Sequence, residues 1–410
     1  MFTDQPVCNF YDQLFLHLDL SMVDNFPKTG RKGFSNSSML CAFIVMKCEG
    51  FSMVSDLVDY LHNNKKIAHF CGFNLAATLP SYWTFIRFIK KFDHDILTSI
   101  MNNQVLSLAK AGIIDSSFLS MDATPISANT SHNNSKSFKK NKFKKSNQPA
   151  ADKDCRLGVH TASNSLNEKN FEFYWGYKNH MLVDCITGLP VCELTTTANI
   201  SDSSVALYML DKTNSLIPIK GLTFIADKGY DIKNIYNSIV ELYDGDCFIP
   251  LNQRNSKQTV LVDGYHICQA GLPMHKDGKC YDRNRVKQKY SCPFKYSKND
   301  ACCPCNHKNF FNGKKNRGCT KWVTLPSDYR LQIDRKSKRF KKTYSLRTES
   351  ERYNSRFKNT GQERAWVRNF SSIANLSTMA HIALLAVAVA CIATGKRDSY
   401  RKLKTLKRSA

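Results

Sequence analysis

Residues 344–358 read Tyr-Ser-Leu-Arg-Thr-Glu-Ser-Glu-Arg-Tyr-Asn-Ser-Arg-Phe-Lys. At about 100° per residue on a helix, Tyr344, Arg347, Glu351 and Lys358 fall within roughly 60° of one another. One face would then carry a phenol, a guanidinium, a carboxylate and an ammonium in fixed order. A carboxylate can hold a divalent cation, and cationic side chains beside it can hold a phosphate. That chemistry cuts or joins nucleic acid. The same run also fits a solvated helix face laced with i,i+4 ion pairs. Features elsewhere in the chain have to decide between the two.

Two acids at the ends of apolar runs bear on that choice. Phe118-Leu-Ser-Met-Asp122 reads as a buried strand ending in an acid, and Leu222-Thr-Phe-Ile-Ala226 as another ending at Asp227. Strand ends gather at one edge of a sheet, and a helix packed there can bring Glu351 to the same point. Three clustered carboxylates repel one another and raise one another's pKa. Two divalent ions remove that repulsion, activate a water or a 3′-hydroxyl, and stabilise the leaving oxygen of a phosphodiester. Oxygen ligands that leave room for water and phosphate favour Mg²⁺, with Mn²⁺ as a substitute. The chain has 34 acidic residues, so three of them need a further reason to be singled out.

The remaining segments supply the scaffold. Residues 30–92 carry helical patterns. Val54, Leu57, Val58 and Leu61 follow the i, i+3, i+4, i+7 rule after a possible Ser52 cap. Pro80-Ser81 opens a second helix with Phe85, Phe88, Ile89 and Phe92 on one side and Arg87, Lys90 and Lys91 on the other. Such a helix pair suits DNA docking of the helix-turn-helix type, and equally an ordinary bundle with a basic outer face. The stretch 133–145 holds Lys136, Lys139, Lys140, Lys142, Lys144 and Lys145, with Phe138 and Phe143 between them. It reads as a mobile loop, with a DNA-tracking role as the alternative. Residues 171–183 and 189–196 read as strands joined through Asp184-Cys-Ile-Thr-Gly188. Residues 245–340 are polar, rich in Lys, Cys and Gly, and lack helical period, which predicts an insertion of short strands and loops.

Lys and Arg total 59, giving a formal charge of +25 and a pI near 9.4. Such a field favours nucleic acid or an anionic membrane as partner. With 42% hydrophobic residues over 410 positions, two or three domains can each bury a core. The opening Met-Phe-Thr-Asp-Gln-Pro is not a signal peptide. The apolar stretch 373–394 approaches membrane-spanning length, but Asn375, Ser377, Thr378 and His381 within it predict a buried helix instead. Of 16 cysteines, eight are scattered among apolar residues, as reduced thiols in a cytoplasm would be, and eight lie between Cys247 and Cys319. Cys302-Cys-Pro-Cys305 contains half of a tetrahedral zinc site. Cys292, Cys302, Cys305 and Cys319 are the candidate ligands, with reduced structural thiols as the alternative.

The blocks Asp122-Ala-Thr-Pro-Ile126, Tyr177-Lys-Asn-His180, Val183-Asp-Cys-Ile-Thr-Gly-Leu-Pro190, Thr197-Ala-Asn199, Ala226-Asp-Lys-Gly-Tyr230 and the Glu351 helix occur in this order. Together they resemble a bacterial insertion-sequence transposase of the DDE class. The helix spacing of Tyr, two residues, Arg, three residues, Glu, six residues, Lys is similar to the signature of one large group of these enzymes. Arg352 and Asn354 after the glutamate fit the same group. Gly30-Arg-Lys-Gly-Phe34 and Pro80-Ser-Tyr-Trp-Thr-Phe85 resemble its N-terminal helical domain, so the likeness runs from about residue 30 to 394.

The resemblance implies an α/β fold: an RNase H-like catalytic core of the retroviral-integrase superfamily, an N-terminal helical domain and a β- and loop-rich insertion. The implied segments are 1–110 (helical, a DNA-binding candidate), 111–240 (core, with the Lys-rich loop 131–150), 241–340 (insertion), 341–395 (core) and a basic tail at 396–410. Asp122, Asp227 and Glu351 would bind two Mg²⁺ ions, and Tyr344, Arg347 and Lys358 would contact DNA phosphates. Asp184, Asp202 and Asp231 are expected as turn or capping residues. The implied activity is hydrolysis at transposon ends followed by 3′-hydroxyl strand transfer. The implied partners are double-stranded DNA, both terminal inverted repeats and target, and a second copy in a synaptic homodimer, with no membrane. Rival readings are a metal-dependent nuclease without strand transfer, a catalytically inactive DNA-binding derivative, and a membrane-attached protein.

Overall fold

The computed structural model describes residues 6–24, 26, 33–137, 140–163, 169–252, 261–262, 265–282, 285–295, 311–312, 315–316, 318–325, 329–364 and 366–401. The chain divides into two compact units, Met1–Ile219 with Arg347–Ala410, and Lys220–Leu346.

The first unit begins with helices α1 (Pro6–Leu16), α2 (Asn36–Glu49), α3 (Val54–Asn63), α4 (Lys65–Phe70), α5 (Tyr82–Lys91) and α6 (His94–Lys110). Ser35 caps α2 by accepting from the Ser38 amide, and Gly50 closes it in the left-handed region at φ +76°. In α5 the apolar stripe turns inward at Phe85 and Ile89 while Arg87, Lys90 and Lys91 stay exposed, as its periodicity predicts. The expected Ser52 cap is absent. Helix α3 starts at Val54 after an extended Met53 that makes no side-chain cap bond, which leaves Ser52 one residue too early.

Strands β1 (Phe118–Ser127), β2 (Arg156–Ser163), β3 (Lys169–Asp184) and β4 (Pro190–Thr197) form the sheet of this unit. β3 runs antiparallel to β1, with Asp122 opposite Met181. The inner half of β3 also pairs with β4, and its outer half with β2. The β3–β4 turn forms where the sequence predicts it. Asp184 accepts from the Ile186 amide and the Thr187 hydroxyl, and Gly188 takes φ +67°. Helix α7 (Ala206–Leu216) packs on β4.

The second unit starts with β5 (Thr223–Ala226), α8 (Lys233–Glu241) and β6 (Asp246–Phe248). β5 and β6 are parallel, the pairing that a helical crossover permits. Short strands follow, as expected for 245–340: β7 (Leu261–Val262), β8 (Tyr265–His266), β9 (His275–Asp282), β10 (Arg285–Ser291), β11 (Phe311–Asn312), β12 (Lys315–Asn316) and β13 (Thr320–Leu325). β9, β10 and β13 make a three-stranded antiparallel sheet. Helix α9 (Lys338–Tyr344) ends the unit. Asp231, expected as a turn or capping residue, does cap the 3-10 turn Lys228–Tyr230, and its carboxylate is also a buried hub. It takes Arg330 Nε at 3.0 Å and Nη2 at 2.7 Å, the Tyr236 hydroxyl at 2.9 Å and the Asn252 amide at 2.6 Å.

The chain returns to the first unit with α10 (Thr348–Phe357) and α11 (Phe370–Ala393). Helix α11 has the length and hydropathy of a membrane span, a mean of 2.2, yet 83% of that window is buried. α2, α5, α6 and β4 cover it. Its polar residues are bonded inside the protein: Asn375 Nδ2, for example, donates to the carbonyls of Ile89 and Phe92. The expectation of a buried core helix holds.

This is a mixed α/β fold: an RNase H-like mixed sheet, preceded by helices and supplemented by an extra sheet. Three local expectations fail. Residues 344–358 are not one α-helix, because α9 stops at Tyr344 and a 3-10 turn, Ser345–Arg347, intervenes before α10. Asp122 does not end its strand; β1 continues for five residues beyond it. The 131–150 loop is folded where it is described. Asn133 Nδ2 donates to the carbonyls of Ala128 and Trp175, and its Oδ1 accepts from the Trp175 amide. Phe138 and Lys139 lie outside the described residues.

Candidate functional site

One face of β1 holds Ser120, Asp122 and Thr124, because side chains on a strand alternate. Helix α10 lies against β1 and meets two of these residues. Ser120 Oγ donates to Ser350 Oγ at 3.2 Å. One turn further along, Asn354 Nδ2 donates to Asp122 Oδ2 at 2.8 Å. The other carboxylate oxygen of Asp122 accepts from the Ala123 amide at 2.9 Å. Glu351 is three residues before Asn354, so it occupies the adjacent turn of the same helix side. Its side chain is 53% exposed, and Arg347 Nη1 donates to its Oε1 at 2.5 Å. Two partly exposed carboxylates thus sit on elements that are bonded directly to each other.

The opposite face of α10 is buried. The Tyr353 hydroxyl is 2.7 Å from His381 Nδ1, and Phe357 stacks on the same ring with centroids 4.7 Å apart. His381 Nε2 is 2.9 Å from Asn179 Oδ1, while Asn179 Nδ2 donates to Glu193 Oε2 at 2.7 Å. These partners fix the proton positions. With the Asn179 amide nitrogen used on Glu193, its oxygen must accept, so His381 carries its proton on Nε2 and Tyr353 donates to Nδ1. Burial pushes the His381 pKa down to about 4, which keeps the ring neutral near pH 7. Thr378 Oγ1 completes the chain by donating to Glu193 Oε1 at 2.5 Å.

A third set of bonds ties α10 to the β3–β4 turn. Arg356 makes the tie by donating to the Gly188 carbonyl, while within α10 itself Glu349 accepts from Arg352. Beyond α10 the backbone passes through a π-turn, Lys358–Gln362, where Gly361 has φ +78°. A Cβ there would lie 2.6 Å from the Phe51 carbonyl oxygen, so the close approach to the α2 end requires glycine. Gln362 Oε1 accepts from the fully buried Lys47 Nζ at 2.6 Å, and Gln362 Nε2 donates to Ser377 Oγ. Burial lowers the Lys47 pKa to about 7.

The expected site residues divide between the units. Asp122, Arg347, Glu351 and Lys358 belong to the first, and Asp227 and Tyr344 to the second. Asp227 follows β5 directly, as predicted, and its Oδ1 accepts from the Gly229 amide at 2.7 Å as it caps the 3-10 turn Lys228–Tyr230. Tyr344 stacks on Phe340 with centroids 5.7 Å apart, and Lys358 pairs with Glu363 at 3.0 Å. Among the described residues no three His, Cys, Asp or Glu side chains converge as a metal-holding group. The donors themselves are hard carboxylate oxygens reachable from solvent, the type Mg²⁺ and Mn²⁺ accept. Of the candidate zinc ligands, Cys292 and Cys319 lie beside each other, the Cys292 amide donating to the Cys319 carbonyl at 2.9 Å. Cys302 and Cys305 fall outside the described residues.

Sequence reasoning did not assign a role to Asn354 or to His381. Asn354 follows Glu351 at helical spacing, which could have marked it as a neighbour of whatever Glu351 faces. His381 is the one imidazole in a largely apolar helix, a signal of a bonded core group.

The model of a family described as "Transposase DDE domain" matches residues 111–386. A second, described as "Transposase domain (DUF772)", matches residues 3–91. No curated protein matches the chain. Among solved structures, the cryo-EM structure of the piggyBac transposase synaptic complex with hairpin DNA is similar over 99% of this chain and 79% of that one. The identity is 10% and the TM-score 0.43.

Proposed function

The chain belongs to the transposase DDE domain family, and from that premise we propose that it is an insertion-sequence transposase. It hydrolyses the phosphodiester at each transposon end and joins the freed 3′-hydroxyl to target DNA. The observation that carries the reading is the bond between Asn354 and Asp122, which docks the Glu351 helix on the strand of the first acid.

Asp122, Asp227 and Glu351 would hold two Mg²⁺ ions, or Mn²⁺ in their place. When bound, such ions activate the attacking oxygen and stabilise the leaving one. The protein's own residues do the rest. Asn354 fixes the orientation of the Asp122 carboxylate. Arg347 lies against Glu351 and offers a planar fork to a phosphate, while Lys358 offers a point charge. Tyr344, Arg347 and Lys358 are read together as phosphate contacts of the group whose spacing they share. Double-stranded DNA, as inverted repeats and target, is the substrate, and cutting two ends together calls for a homodimer. A bacterial cytoplasm, where the DNA lies, is the site of action.

The test uses labelled duplexes of one transposon end with Mg²⁺. Asp122→Asn, Asp227→Asn and Glu351→Gln should each abolish both cleavage and joining while duplex affinity persists. Cleavage without any joined product from the unsubstituted protein would replace the reading with a nuclease. Activity retained by Asp122→Asn would end it.

A further inference from the structure

We propose that the 131–150 loop is a docking surface for the backbone of duplex DNA, set apart from the carboxylates. The inference rests on the reading that DNA is the substrate.

The loop contains no acidic residue, and its lysines divide by role. Lys142 turns inward, its Nζ donating to the carbonyls of Asn134 at 2.9 Å and Ser137 at 3.3 Å. Lys136, Lys140, Lys144 and Lys145 point to solvent. The carboxylates next along the chain are already engaged. Asp152 accepts from the Tyr177 hydroxyl, and Asp154 from the Phe370 amide.

A charge run that merely solvates a surface does not need a fixed frame, and this one has it. Trp175 Nε1 donates to the Lys142 carbonyl at 2.8 Å, and Phe143 stacks on Phe173. Asn147 Nδ2 donates to the Asn141 carbonyl, and Gln148 Nε2 to the carbonyls of Lys153 and Cys155. Together with Asn133 on Trp175, these bonds hold the described residues of the loop on β3 before any ligand arrives, so binding costs them little further chain entropy. Four ammonium groups on an ordered, acid-free loop match a polyanion with regularly spaced charges.

The position sets where on the DNA they act. From Asp122 to Ser127, where β1 ends ahead of the loop, the strand covers about 17 Å, or roughly five base pairs of duplex. The loop would therefore hold phosphates about half a helical turn or more from the bond being cut. Contacts of this kind add affinity without reading sequence.

The experiment replaces Lys136, Lys140, Lys144 and Lys145 with Ala together and measures duplex binding across a salt series. Each phosphate contact contributes a slope of about 0.9 in log K against log salt. The slope should become shallower by about 3 to 4, and affinity near 0.15 M salt should fall at least tenfold, equally for transposon-end and unrelated duplexes. Thermal unfolding should be unchanged, since the four side chains are exposed, and Lys→Arg at all four positions should restore binding. An unaltered slope, with the unsubstituted protein binding DNA, overturns the inference and leaves the function standing. So does a loss confined to anionic vesicles. An unsubstituted protein without duplex affinity overturns both.

Discussion

Tyr353 and His381 meet twice, through a hydrogen bond of 2.7 Å and through rings stacked at 13° with centroids 5.7 Å apart. Tyr353 is two residues after Glu351, and residues two apart on a helix point to different sides. The bond therefore grips α10 from behind while Asn354 holds its front to Asp122. His381 passes the grip to Asn179 on β3 and, through it, to Glu193 on β4. The helix that carries the catalytic-site candidate is thus fixed by a fully bonded polar chain in the core, the kind of network that specifies one arrangement.

Tyr353→Phe leaves His381 Nδ1 without its donor and should lower stability by about 1–2 kcal/mol. DNA cleavage should fall further than DNA binding, because α10 loses a tether but no phosphate contact. Chemical denaturation alongside a cleavage assay checks both.

The same histidine predicts an acid limb. Its folded pKa, about 4, lies below the unfolded value near 6.5, so between these values the unfolded chain binds more protons. The stability is fully present above about pH 6.5 and drains as pH falls toward 4, by up to about 3 kcal/mol. His381→Gln should flatten this part of the stability profile relative to the unsubstituted protein, whatever its effect at pH 7. Parallel profiles from the two proteins would contradict the burial argument.

Asn354→Ala should cost roughly 1 kcal/mol of stability and reduce cleavage about tenfold or more, since Asp122 loses the bond that orients it. Asn354→Asp is the sharper variant. A second carboxylate at 2.8 Å opposes ionisation of Asp122, so the pH needed for activity should move upward. A rate–pH profile with an unmoved acid limb would show that the two side chains are not coupled during the reaction.

Much of this arrangement could be read from residue order. Asp122, Asp227 and Glu351 stood out through motif blocks, and the β3–β4 turn through its Gly188. What escaped the sequence depends on distant contacts. The helical wheel that aligned Tyr344 with Lys358 assumed an unbroken helix, and the 3-10 turn at Ser345–Arg347 and the Gly361 π-turn carry no strong local signal. The 131–150 loop looked mobile because Asn and Lys dominate it. Those Asn side chains are what fold it, by bonding carbonyls within the loop and on Trp175, some forty residues away. Asp231 caps a turn as its position suggests, but its pairing with Arg330, 99 positions later, has no local signal.

Lys47 gives a prediction at the alkaline side. Burial lowers its pKa from 10.5 to about 7, and among the described residues its hydrogen-bond partner is the neutral Gln362 side-chain oxygen. At pH 8 the unfolded lysine is charged and the folded one largely neutral, so folding must release a proton. Stability should therefore rise as pH increases from about 7 to 9, opposite to the trend of a lysine held in an ion pair. Lys47→Met removes the proton release and should abolish that rise. It also strands Gln362 Oε1, at a cost of about 1–3 kcal/mol, which Gln362→Leu in the same chain should largely recover. Denaturation curves of the single and double variants at pH 7 and 9 separate the two effects. A rise with pH that survives Lys47→Met would place the titrating group elsewhere.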